Sequence, residues 1–168
     1  CFDFFVASRS AASGIAEVDN AYNFLQDTYD FYMTHHFRNG INNAGMTIST
    51  TVRYCESPAS CPYSNAFWSG SRLYFGDGWV VNDIVGHEYT HGVTQYEARL
   101  EYSGQSGALN EHISDVFGSL VKQSSLDQTA AQADWLIGAG LFAKGVKGVA
   151  LRSMIAPGTA YDDPRIGK

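Results

Sequence analysis

The chain is 168 residues long, the size of one ordinary domain or part of a larger unit. Lysine and arginine number 11 against 17 aspartates and glutamates, a formal charge of −6, which argues against a nucleic-acid surface or a polybasic membrane patch. Hydrophobic residues make up 45% and charged residues 17%, enough apolar material for a buried core and too ordered a composition for a disordered chain.

The first stretch, Cys1 to Gly14, is apolar and then rich in Ser and Ala, and ends without clear structure. From Glu17 to about Phe37 the pattern turns helical, with Val18, Tyr22, Leu25, Tyr29 and Tyr32 at three- and four-residue steps. Asn39-Gly40 and Asn42-Asn43 stop it. Met46 to Tyr54 alternates and is rich in Thr, Ile and Val, a strand pattern. Asn65 to Trp68 and Arg72 to Phe75 read as two short strands joined by Ser69-Gly70, and Gly76-Asp77-Gly78 as a turn. A second helix is predicted from about Val80 to Tyr96, striped by Val81, Val85, Tyr89, Val93 and Tyr96. A third is predicted from about Gly107 to Lys122, with Leu109, Ile113, Val116, Phe117 and Leu120 as its buried face. Gln132 to Ala143 reads as a fourth, looser helix, and Pro157 to Lys168 as a turn-rich tail. The order suits an α+β unit: a small mixed or antiparallel sheet packed on long helices.

No apolar run approaches the roughly 18 residues that span a bilayer. The chain starts without Met and without a signal-like segment, which reads as processed or trimmed. Cys55 and Cys61 flank a Pro- and Ser-containing loop. A local disulfide there implies an oxidising compartment, with two free thiols as the alternative. Cys1 is left over.

The chemistry-bearing signal is His87-Glu88-Tyr89-Thr90-His91. On a helix, positions i and i+4 share a face, so both imidazoles can reach one zinc ion. Glu88 is one step on and can lean toward a water on that metal without ligating it. The alternative is two ordinary helix histidines flanking an exposed glutamate. A catalytic zinc needs a third protein ligand and an open position. Glu111 in Asn110-Glu111-His112-Ile113-Ser114-Asp115 lies 20 residues after His91, room for a turn and an antiparallel return. Asp115 stands at i+4 from Glu111 and can accept a hydrogen bond from the far nitrogen of a ligating histidine. His112 points elsewhere on the helical wheel.

With those segments in view, the chain resembles the thermolysin family of zinc neutral endopeptidases. The matching stretches are NAFWSG from Asn65, FGDG from Phe75, VGHEYTHGVT from Val85, SGALNEHISDVFG from Ser106 and LRSM from Leu151. The resemblance implies His87, His91 and Glu111 as zinc ligands and Glu88 as the base that activates water. It implies Asp115 and Asn110 as hydrogen-bond partners of the two histidines. Tyr102 matches a residue that polarises the scissile carbonyl. Asn65 and Ala66 match the edge that pairs with the substrate backbone, and Arg152 an arginine beside the pocket for the side chain after the scissile bond. The implied reaction is metal-assisted hydrolysis of internal peptide bonds by a secreted enzyme, with polypeptides as partners and neither nucleic acid nor membrane.

The departures from the family are as specific as the matches. Family members continue into a helical domain that supplies a histidine to stabilise the transition state. None of the histidines here (His35, His36, His87, His91 and His112) follows Arg152. Residues 1–168 are therefore expected to be one zinc-binding catalytic portion, truncated or nicked, with the C-terminal helical domain outside it or supplied by a second chain. The alternative is a zinc-retaining but catalytically weak or inactive fragment that acts as a binding protein. The family's double calcium site is expected to be lost. Its positions carry Lys122, Asp134, Leu136 and Ala139, with Asp83 retained before the zinc helix, and two carboxylates plus a lysine cannot form the double site. The Lys122 ammonium is expected to replace calcium by pairing with Asp83 or Asp134.

Overall fold

Two long helices cross behind a small sheet, and this crossing places the polar residues singled out above. The computed structural model describes residues 2–6 and 12–166. Helix α1 (Ala16–His36) is followed by strands β2 (Ile48–Val52), β3 (Ala66–Trp68) and β4 (Arg72–Phe75), then by helices α2 (Asn82–Tyr96) and α3 (Gly104–Ser125). A preceding strand, β1 (Phe2–Val6), and a short pair, β5 (Leu136–Ile137) and β6 (Arg152–Ser153), complete the elements.

The main sheet has the order β1-β2-β4-β3. It is mixed, with β1 and β3 antiparallel to their neighbours and β2 parallel to β4. β3 is therefore an outer strand. Leu73 and Phe75 of β4 and Val52 of β2 have no exposed surface, as expected for β residues turned onto helices. At the centre of the three helices, Tyr32 of α1 stacks on Tyr89 of α2 and on Phe117 of α3, with ring centroids 5.4 Å apart in each case. Burying each large apolar side chain contributes about 1.5–3 kcal/mol. The Tyr32 hydroxyl is satisfied by Thr90, whose own hydroxyl donates to the Gly86 carbonyl. Cys55 and Cys61 are disulfide-bonded across a short 3₁₀ turn, Pro58–Ser60.

Three sequence readings need correction. Residues 2–6 are not featureless: Phe2↔Val52 through Val6↔Ile48 pair them antiparallel with β2. The pattern was too short to reveal a strand whose partner lies more than forty residues away. The fourth helix does not form. Leu136 and Ile137 pair with Arg152 and Ser153 instead. Trp135, Gly138 and Gly140 take positive φ values of 54°, 69° and 86°, which break a right-handed helix. The third correction concerns α3, whose buried face is Gly107, Asn110, Ser114, Asp115, Gly118, Ser119, Val121 and Gln123. The apolar stripe from Ile113 to Leu120 is only half-buried, and Leu109 is 47% exposed. α3 turns its small and polar face to α2, because the charged groups of the two helices pair there. Cys1 and Lys168 lie outside the described residues.

Candidate metal centre

α2 packs against α3, α1 and β3 and is buried nearly all round, so His87 and Glu88 are carried into the interior at 4% and 6% exposure. The i and i+4 spacing puts His87 and His91 on one side of the helix, their Nε2 atoms 3.0 Å apart. Glu111 of α3 approaches from across the crossing, one carboxylate oxygen 3.2 Å from His87 Nε2 and the other 3.4 Å from His91 Nε2. A tetrahedral zinc with bonds of about 2.0–2.1 Å holds its ligands about 3.3 Å from one another. The Nε2–Nε2 separation and the approach of one Glu111 oxygen to each ring are close to that spacing.

The outer ring nitrogens are held as well. Asp115 Oδ1 lies 2.7 Å from His87 Nδ1, and Asn110 Oδ1 lies 2.7 Å from His91 Nδ1. An ionised carboxylate only accepts, so Nδ1 of His87 donates and Nε2 faces the site. Ser114, one turn beyond Asn110, lies 3.2 Å from the same His91 nitrogen. Arg152 fixes Asp115 in turn, with Nε donating to one oxygen at 2.6 Å and Nη2 to the other at 2.8 Å. Sequence reading did not anticipate Ser114 or the Arg152–Asp115 pair. Ser114 shares Asn110's face at i+4, a readable signal; Arg152 is 37 residues away and gave none.

The charges are strongly coupled. Burial pulls the His87 imidazole down, but its hydrogen bonds to Asp115 and Glu111 outweigh this and raise it to about 9. Burial and the neighbouring His87 charge push His91 down. The hydrogen bond from His87 holds Glu111 at about 2. Glu88 is pushed up to about 7 by burial, against the pull of His87. An oxygen of Glu88 and one ring nitrogen of each histidine also lie within 4.8 Å of one another. The two Glu111 oxygens face the two Nε2 atoms, one each.

A cleft of about 970 Å³ opens over this cluster. Asn65, Ala66, Trp68, Tyr102 and Arg152 line it together with the two histidines and both glutamates. Ala66 is buried on the outer strand β3 and Asn65 is exposed just before it. Tyr102 is 68% exposed, and its hydroxyl donates to Glu111. His112 is exposed and does not line this cleft. At the other end of the crossing, Lys122 Nζ lies 3.1 Å from Asp83 Oδ2, 3.0 Å from Asp134 Oδ1 and 2.9 Å from the Leu136 carbonyl.

Residues 6–95 match the family model described as "Thermolysin metallopeptidase, catalytic domain". The chain belongs to the thermolysin metallopeptidase family. Residues 98–167 match the companion model, "Thermolysin metallopeptidase, alpha-helical domain", so that description begins within this chain, at the approach to α3. An extracellular metalloprotease of Pectobacterium carotovorum subsp. carotovorum is 48% identical over 96% of the chain and 47% of its own length. A bacillolysin of Bacillus cereus is 39% identical over 97% of the chain and 31% of its own length. The solved precursor of protealysin, a metalloproteinase from Serratia proteamaculans, superposes with a TM-score of 0.87 at 51% identity, covering 95% of this chain and 50% of that one. The chain thus spans about half the length of the relatives it matches, or less. The α+β reading holds, with a thermolysin-like arrangement.

Proposed function

We propose that this chain carries the metal-binding half of the active site of a secreted, zinc-dependent endopeptidase that hydrolyses internal bonds of polypeptides. The observation that supports this reading is the trio His87, His91 and Glu111, with donor atoms 3.0–3.4 Å apart, beside buried Glu88 at the floor of an open cleft. In this reading those three residues hold the zinc. When bound, the ion supplies Lewis-acid polarisation of a carbonyl and lowers the pKa of water toward roughly 7.

The chain's own residues do the rest. Glu88, lifted by burial to about 7, is poised to take a proton from water and return it to the leaving amine near neutral pH. Tyr102, raised to about 12 by desolvation and its bond to Glu111, keeps its proton and serves as a donor to the developing oxyanion. The open edge of β3 at Asn65 and Ala66 takes the substrate backbone as an added strand. Arg152 stands at the cleft wall and keeps Asp115 aimed at His87. Asp115 and Asn110 hold the histidine tautomers.

We further infer that Lys122 stands in for the family's double calcium site. Calcium requires six to eight oxygen ligands. Here two carboxylates and one carbonyl converge on an ammonium instead. The extracellular names of the relatives and the Cys55–Cys61 disulfide support secretion.

The deciding experiment measures zinc content on non-denatured protein and hydrolysis of an internally quenched peptide, with Glu88→Gln alongside. One zinc, and turnover that Glu88→Gln removes, supports the reading. One zinc without turnover favours a zinc-retaining binding protein. No zinc, and none taken up on titration, overturns both.

A further inference from the structure

We propose that Gly118, facing Gly86 where α2 and α3 cross, is a positioning residue for the metal centre. By carrying no side chain it sets the separation at which Glu111 and Asp115 meet the two histidines. This rests on the zinc reading above and deepens it.

The argument starts from spacing. Glu111, Asp115, Gly118 and Lys122 follow one another on α3 at steps of four, three and four, so they share one face. Asp83, His87 and His91 share a face of α2 at steps of four. The helices run antiparallel, and the two faces meet rung by rung. Lys122 meets Asp83 at 3.1 Å, Asp115 meets His87 at 2.7 Å, and Glu111 meets His91 at 3.4 Å. Gly118 occupies the place between the first two of these pairs.

A Cβ at Gly118 would lie 2.4 Å from the Asp83 carbonyl oxygen and 3.2 Å from the His87 backbone nitrogen. Both obstacles are backbone of the helix that carries the histidines, so neither can rotate aside. A Cβ at Gly86 would lie 3.1 Å from Gly118 Cα and 3.2 Å from Val121 Cβ. Neither glycine has the positive φ that would call for glycine on conformational grounds. Glycine inside a helix is otherwise unfavourable. The close approach is the reason both positions lack a side chain. A methyl at Gly118 drives α3 away from α2 by a large fraction of an ångström, and the carboxylates of Glu111 and Asp115 move with it. A metal site loosened by that much loses affinity while its ligands are all still present.

The test compares zinc affinity, by competition with a chromogenic chelator, in the parent chain, Gly118→Ala, Gly86→Ala and Leu25→Ala. The last of these opens a cavity at a buried residue of α1, a helix that supplies none of the proposed ligands. Circular dichroism of the metal-free proteins reports folding, and the visible spectrum of the cobalt-substituted proteins reports ligand geometry. Expected is a tenfold to hundredfold loss of zinc affinity in Gly118→Ala, with helicity kept and the cobalt bands shifted. Gly86→Ala should lose at least threefold, and Leu25→Ala should stay within twofold. If Gly118→Ala does not fold, Gly86→Ala decides. Parent-like affinity and cobalt spectra in the folded glycine variants overturn the inference alone, as does an equal loss in Leu25→Ala. A parent chain that takes no zinc overturns the zinc reading and this inference together.

Discussion

Among the described residues, Glu88 differs from Glu111 and Asp115 in having no basic side chain as a hydrogen-bond partner, and burial lifts it to about 7. Glu111 and Asp115, each bonded to His87, are held below their usual values despite burial. Neighbouring carboxylates pushed in opposite directions suit the proposed roles, Glu88 as the acid–base group beside Glu111 as a ligand. Glu88→Gln should therefore lower turnover by about 10²–10⁴-fold while leaving zinc content unchanged, read by steady-state hydrolysis and metal analysis. The same charges predict how the metal-free chain responds to pH. His87 is raised from its usual 6.5 to about 9, so between those values the folded state binds a proton that the unfolded state has lost. That contribution is complete below pH 6.5 and disappears as pH rises through about 9. Glu111 is lowered from 4.5 to about 2, so its contribution is present above pH 4.5 and is lost as pH falls toward 2. Thermal melts in chelator should show greatest stability from these groups between about pH 4.5 and 6.5, and His87→Gln should flatten the alkaline decline.

The α2–α3 pair is a polar zipper with the proposed metal site at one end and an ammonium at the other. At the metal end, Asp115 aims His87 and is itself clamped by Arg152. Asp115→Asn keeps the shape but weakens the charge-assisted bond, and zinc affinity should fall about 10–100-fold in a chelator competition. At the other end, Asp83 is 2% exposed and receives both Lys122 and the Gly138 N–H. Replacing Lys122 with Met strands a buried carboxylate, which costs about 3–5 kcal/mol, read by denaturant unfolding. With Lys122 intact, calcium titration should leave the melting temperature unchanged, since the ammonium holds the oxygens that a cation would need.

At the scale of the molecule, the proposed zinc would draw its ligands from two helices and so tie their crossing to the folded state. Anything that binds only the folded chain stabilises it by mass action. At zinc a thousandfold above its dissociation constant, the stabilisation is about 4 kcal/mol. For a chain of this length that corresponds to roughly 10 °C in Tm. Calorimetry with and without chelator checks it; a melting temperature indifferent to zinc contradicts a site formed between α2 and α3.

The sequence by itself determined what depends on local spacing. The heptad-like steps of α1 and α2, the alternation in β2, the i and i+4 histidines and the Glu111–Asp115 pair all follow from helix and strand periodicity, and all lie on the elements expected of them. Periodicity reports which residues are apolar, but not which face a neighbour will cover. α3 therefore buries Asn110, Ser114, Asp115 and Gly118 against α2, and leaves its apolar stripe half-buried, because ion pairs and a close backbone approach decide that contact. Strand β1 needed a partner far along the chain, and residues 132–143 lost their helix to three left-handed backbone positions and a pairing with β6. The clamp of Arg152 on Asp115 and the Gly118 contact join residues tens of positions apart. Only tertiary structure decided these, because each is a long-range contact whose energy exceeds the local preference it overrides.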